Sequence, residues 1–303
     1  MKARLSAAAA LAALLCASCV SPQGAPTTPP DPAAVTRGAY LAAAGDCQGC
    51  HTDLKGNGPA FAGGRALETQ FGNFYAPNIT FDKTAGIGTW SEADFLRAMR
   101  KGKGAHGEFL YPVFPYTSFT GMTDQDISDI YAFLRAQPTQ SQPTKANAVK
   151  FPFGMRPLLG FWRVLFFRSG PMEPVSGQTA EWNRGRYLAE TVAHCGECHT
   201  PRNALGGIDN GRAYAGDPHG PGGKTPNLTP GGPVGKWTVD DLAELLDSGM
   251  TPDGDYTGGE MATVVNGTAK LTAADRKAIA VYVKSLKPQQ SAPATPAPAK
   301  AAS

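Results

Sequence analysis

The stretch "VAHCGECHT" carries Cys195, Cys198 and His199, and "AGDCQGCHT" carries Cys47, Cys50 and His51. Each copy reads cysteine, two residues, cysteine, histidine. Two thiols so spaced on a short helix can add to the two vinyl groups of a haem as thioethers, and the adjoining imidazole then reaches one face of the iron. The pattern assigns Cys47, Cys50, Cys195 and Cys198 to covalent haem attachment and His51 and His199 to proximal iron ligation. His194 is read as a bystander. A zinc site would want four converging ligands. A redox dithiol needs no following histidine and sits in a βαβ context, which is absent from this sequence. Two haem c groups are therefore the expected cofactors.

The elements that must position these residues are themselves repeated. "TRGAYLAAAGDCQGCHT" parallels "NRGRYLAETVAHCGECHT", "APNITFDKTAGIGTWSEADFLRAMRKG" parallels "TPNLTPGGPVGKWTVDDLAELLDSG", and "MTDQDISDIYAFLRAQP" parallels "LTAADRKAIAVYVKSLKP". The order is the same in both halves, which marks a duplicated domain. Each copy reads as three helices. The first carries Tyr40 and Leu41, or Tyr187 and Leu188, into the cysteine motif. The second is capped by Ser91 with Asp94, or Thr238 with Asp241, and the third by Thr123 with Asp126, or Thr272 with Asp275. Ile127, Ile130, Tyr131 and Leu134 recur at helical spacing and face inward, as do Ile279, Tyr282, Val283 and Leu286. Asn78 and Asn227 each begin an Asn-x-Thr triplet, and their shared place in the repeat points to a structural loop rather than glycosylation.

The chain has 303 residues, 36 of them glycine and 26 proline, so short helices joined by long loops are expected. Lys and Arg number 28 against 25 Asp and Glu, with no basic run, which argues against nucleic acid as a partner. Lys2 and Arg4 precede an apolar run from Ala7 to Leu15, the layout of a signal peptide over 1–19 that implies periplasmic export. Cys19 is a candidate lipid anchor. A flexible linker is expected at 20–34 and a disordered, Pro/Ala-rich tail at 288–303.

The layout resembles the small helical c-type cytochrome fold. The expected fold class is thus all-α: two tandem class I-like cytochrome c domains with long loops, at 35–138 and 181–287, joined by an irregular apolar connector at 139–180. In such cytochromes a methionine on the loop before the last helix is the sixth iron ligand. Met261 fills that place in the second unit. In the first, alignment of the last helices puts Phe114 near that slot, and Met122 is favoured, with His106 or an open position as rivals and Met99 as core. The connector, "FPFGMRPLLGFWRVLFF", is read as a belt across both domains, with a docking surface for a partner or the membrane interface as the second reading.

Over most of its length the sequence resembles the cytochrome c subunits of bacterial periplasmic and membrane-associated dehydrogenases, such as those for alcohol and gluconate. The resemblance is carried by "LYPVFPYTSFTGMTDQD", "FPFGMRPLLGFWRVLFFRSGP", "CGECHTPRN" and "DGDYTGGEMATVV". Many such subunits have three haem motifs and a membrane-associating C-terminus; this chain has two motifs and a polar tail. The resemblance implies electron transfer rather than catalysis. The donor would be a dehydrogenase subunit, the acceptor a quinone, an oxidase or another cytochrome, and peripheral membrane contact would be possible. The alternative is a dihaem peroxidase-type enzyme with one accessible iron. A gas sensor would want an output module, and the sequence shows none.

Overall fold

A computed structural model describes residues 28–220 and 223–293. The expected signal peptide, Cys19, residues 20–27 of the linker and residues 294–303 of the tail lie outside the described residues.

In the first unit, helix α1 (Pro32–Ala44) begins inside the stretch expected to be linker. Asp31 accepts hydrogen bonds from the amides of Ala33 and Ala34, and Pro32 takes the first position, where its missing N–H costs nothing. A single turn, α2 (Cys47–Cys50), follows. Helix α3 (Glu92–Lys101) opens with a reciprocal capping box between Ser91 and Asp94. After the short α4 (Tyr116–Phe119), helix α5 (Asp124–Arg135) starts at the Thr123 cap. Helices α1 and α5 cross where a Cβ on Gly38 would lie 1.8 Å from the Asp129 carbonyl oxygen, so only glycine permits the approach.

The second unit repeats the plan with α7 (Ala180–Tyr187), α8 (Gly196–His199), α9 (Val239–Ser248), α10 (Gly259–Thr268) and α11 (Ala273–Lys284). The Thr238–Asp241 capping box and the Thr272 cap match the sequence pattern. Gly185 is the counterpart of Gly38: a Cβ there would sit 1.9 Å from the Ala278 carbonyl oxygen.

The fold is mostly helical, but not wholly so. Strands β1 (Ala66–Thr69) and β2 (Gly72–Tyr75) form a hairpin, and β3 (Ala148–Val149), from the connector, pairs antiparallel with β2. Strands this short give too few alternations to register as a period. The connector is also less irregular than expected, because it holds helix α6 (Leu158–Phe166). That helix spans the two units on its inner side. The Arg163 guanidinium lies over the rings of Phe109 and Tyr116 in the first, and the Trp162 indole donates to the Leu205 carbonyl in the second. Its outer side leaves Phe161, Val164 and Leu165 exposed.

The units meet through a reciprocal contact. The Tyr187 hydroxyl accepts the Thr123 amide and donates to Asp126, the third residue of α5. The Tyr40 hydroxyl accepts the Thr272 amide at 3.1 Å and donates to Asp275 at 2.6 Å. In a capping box the carboxylate itself would reach back to the cap amide. Here a tyrosine from the other unit is inserted into that link at both last helices.

Burial works to raise the Asp275 carboxyl, but hydrogen bonds from Arg184 and Tyr40 outweigh it and hold the group below its ordinary value. A carboxyl depressed by folding contributes its stability above the unfolded pKa and loses it as pH falls through the folded value. Tyr40→Phe, which orphans the Thr272 amide, is expected to lower unfolding free energy by about 1–2 kcal/mol at about pH 7. The cost should shrink as pH falls through the carboxyl's depressed folded value. Urea unfolding of wild type and variant, at neutral pH and over a series of falling pH values, measures this. Equal midpoints at neutral pH would show that the contact carries no stability.

Candidate haem-attachment sites

Each cysteine turn is launched by a residue in the left-handed region, Asp46 at φ 49° and His194 at φ 41°. The second copy has one extra residue between its tyrosine and its first cysteine. The chain absorbs it as a wider π-type turn over Leu188–Val192, in which the Ala193 amide bonds the Leu188 carbonyl at 2.8 Å. Two segments of different length thereby deliver the same local geometry.

The imidazoles are set alike. His51 Nδ1 lies 2.8 Å from the Pro77 carbonyl oxygen, and His199 Nδ1 lies 2.8 Å from that of Pro226. A carbonyl only accepts, so Nδ1 must carry the proton. Burial pushes both histidines below their ordinary pKa, which keeps them neutral. Nε2 is then unprotonated and free to bind a metal, and the Nδ1–H bond fixes the ring. The loops behind these carbonyls are matched. The Asn78 side chain donates to the Gln140 carbonyl and accepts from the amide and hydroxyl of Thr80. Asn227 does the same with Gln289 and Thr229. The two asparagines are buried structural residues, as their repetition implied. The tail expected to be disordered from 288 is, over its described residues 288–293, held to this loop. Gln289 donates its amide to Thr229, and Ala292 donates to the Ala215 carbonyl.

The four motif cysteines are half-buried, and none is paired in a disulfide. Burial pushes Cys47, Cys50 and Cys198 up to about 12 and Cys195 up to about 11. Among the described residues no group of three His, Cys, Asp or Glu side chains converges as a metal site would require, which disfavours zinc. Two unpaired thiols on one turn, with one neutral imidazole anchored through Nδ1, fit the attachment of a haem at each motif. His194 lies outside this donor set. Its ring packs edge-on to Phe119 of the first unit, with centroids 5.3 Å apart, and its Nε2 is 3.4 Å from the Gly45 carbonyl oxygen.

Met261 is half-buried in the first turn of α10, while Met122 is fully buried just before the Thr123 cap. The loops bearing them start alike: Gly102 and Gly249 are left-handed caps whose carbonyls accept from Leu110 and Thr257. Counting on from these two residues sets Phe114 opposite Met261, and counting back from the final caps sets Met122 opposite the buried Leu271. The two methionines thus occupy different backbone positions. His106 is exposed on a hairpin tip, and Met99 is buried on α3 among core residues.

Sequence reasoning missed the residues that join the units around these sites. Arg65 donates to the Gly49 carbonyl at 2.6 Å and pairs with Glu260 of the second unit. Glu197, inside the second motif, pairs with Arg202 and accepts from the Thr117 and Ser118 hydroxyls of the first unit. The tyrosine at one place in both repeats was a signal for the contact. Glu197, at a variable position between two cysteines, gave none.

The family pattern for cytochrome c matches residues 35–138 and 183–287. A nicotinate dehydrogenase subunit of Pseudomonas putida is 41% identical over 86% of this chain, which spans only 22% of that protein. A diheme cytochrome c-type protein of Cereibacter sphaeroides is 44% identical over 82% of the chain and 84% of its own length. The fructose dehydrogenase cytochrome subunit of Gluconobacter japonicus is 36% identical over 93% of the chain and 59% of its own length.

Asn227→Ala removes the clasp behind the His199 loop, takes the closer donor from the Gln289 carbonyl and orphans the Thr229 amide. It is expected to cost about 2–3 kcal/mol and to expose residues 288–293 to proteolysis, as read by mass spectrometry of limited digests. An unchanged cleavage pattern would contradict the clasp.

Proposed function

This chain belongs to the cytochrome c family, and we propose that it is a dihaem electron-transfer subunit working beside a dehydrogenase. The observation that carries this is the pair of cysteine turns, each followed by a neutral imidazole whose Nδ1 is spent on a backbone carbonyl. The chain holds two covalently bound haem c groups. Bound haem supplies a one-electron carrier whose iron alternates between ferric and ferrous states. Cys47 and Cys50 attach the first and Cys195 and Cys198 the second; His51 and His199 are the proximal ligands.

Met122 and Met261 are the sixth ligands. Support for Met122 is its complete burial in the first unit's core, and for Met261 its place on a glycine-rich approach. His/Met ligation raises the potential above that of a bis-histidine iron, which suits a carrier rather than a catalyst. With both faces of each iron taken, no open position is left for peroxide, and the relatives are cytochrome components rather than peroxidases. The haem units span 35–138 and 181–287, with 139–180 as the connector that ties them.

The donor is the catalytic subunit of a dehydrogenase, because two of these relatives bear dehydrogenase names and a third is a diheme cytochrome. The acceptor is a quinone, an oxidase or another cytochrome of the respiratory chain. No helix among the described residues is long and apolar enough to cross a membrane. The leader read at 1–19 places the protein in the periplasm, with Cys19 as a candidate anchor.

The near-infrared band from methionine sulfur to ferric iron reports the sixth ligands. Met122→Ala and Met261→Ala are each expected to remove about half of it and to lower the potential of one haem. If Met122→Ala leaves the band intact, the first iron takes another ligand.

A further inference from the structure

Met261 stands on a segment that its own unit holds poorly. Gly254, Gly258 and Gly259 precede it, and a Cβ built on any of them would meet nothing within 4 Å. The hairpin ahead of it closes on itself, with the Thr251 amide on the Asp255 carbonyl and the Thr257 amide on Gly249. Helix α10 is fastened to its own unit at its far end, where the Thr268 hydroxyl donates to the Leu246 carbonyl at 2.6 Å.

The end that carries Met261 is fastened to the other unit. Glu260 pairs with Arg65, whose side chain is 16% exposed. The same guanidinium donates to the Gly49 carbonyl at 2.6 Å, inside the first cysteine turn. A Cβ on Gly49 would lie 2.5 Å from the Thr263 methyl group, so α10 rests directly on that turn. The reverse contact exists as well. Glu197, in the second cysteine turn, accepts from the Thr117 and Ser118 hydroxyls at the start of the segment leading to Met122. A Cβ on Gly121, the neighbour of Met122, would lie 2.5 Å from the Thr191 methyl group.

We infer that Arg65 is a positioning residue for the second iron: from the first unit's cysteine turn it holds, through Glu260, the segment that presents Met261. This rests on Met261 being that iron's sixth ligand. The sixth ligand of one haem is thus braced by the attachment turn of the other, and movement at one site is felt as ligand strength at its neighbour. A guanidinium suits the task because one nitrogen serves the Gly49 carbonyl while another serves the carboxylate.

The test uses the holoprotein in a Met122→Ala background, where the methionine-to-iron band reports the second haem alone. Imidazole is titrated against Met261 in the parent, Arg65→Met, Arg65→Lys and Glu260→Gln. Arg65→Met and Glu260→Gln should lose the band at about two- to fivefold lower imidazole, the range for a partly exposed pair. Arg65→Lys should fall between them and the parent. Glu260→Gln leaves the bond to Gly49 in place and covers the case in which Arg65→Met disturbs the first unit. Parent-like titration of both variants, with Met261→Ala abolishing the band, would overturn the role of Arg65 alone. A band that survives Met261→Ala would overturn the ligand assignment and this inference with it.

Discussion

A tyrosine hydroxyl from each unit sits inside the helix cap of the other, and the arrangement of both haem sites follows from that exchange. Tyr40 and Tyr187 each satisfy an amide that a helix start leaves without a partner, and each gives its proton to a carboxylate one turn in. Because the contact is reciprocal, it fixes how the two first helices lie against the two last helices. Burial and the carboxylate both raise these phenols, so neither gives up its proton near neutral pH. The cysteine turns follow directly from the helices that carry the tyrosines, and their four cysteines are half-buried. Burial raises the Cys50 thiol most, and Asp46 beside it and Cys198 across the junction add to the effect.

From that frame the imidazoles need little further help. One carbonyl behind each ring chooses the tautomer, and one buried asparagine in each loop holds the carbonyl. Gly63 and Gly216, both at positive φ, let the chain turn tightly after each motif. A Cβ on either would lie within 3 Å of backbone in the loop it meets. Electron carriers gain from such rigidity, since fixed ligands change little between the two charge states of the iron. The chain spans 22% and 59% of two dehydrogenase relatives but 84% of the diheme cytochrome.

The cysteine motifs, the caps at Ser91, Thr123, Thr238 and Thr272, and the inward faces of the last helices were legible in the sequence because each is a local pattern with one physical meaning. The role of Asn78 and Asn227 was legible because the repeat gave two samples of one loop. The hairpin and its third strand were not, since four-residue strands carry too little periodicity and β3 pairs across more than 70 residues. The ordered residues 288–293 were hidden by composition: a Pro/Ala-rich stretch reads as free, but its backbone supplies the carbonyl that Asn227 requires. Arg65, Glu260 and Glu197 act between units, and nothing in a one-dimensional pattern states which units touch.

The most direct test of the account is mass spectrometry of peptides from the protein matured with its haems, after denaturation in acid to strip anything not covalently held. A haem retained on the peptide with Cys47 and Cys50, and a second on the peptide with Cys195 and Cys198, is the result the account predicts. Either cysteine pair recovered as free thiols or as a disulfide would contradict it.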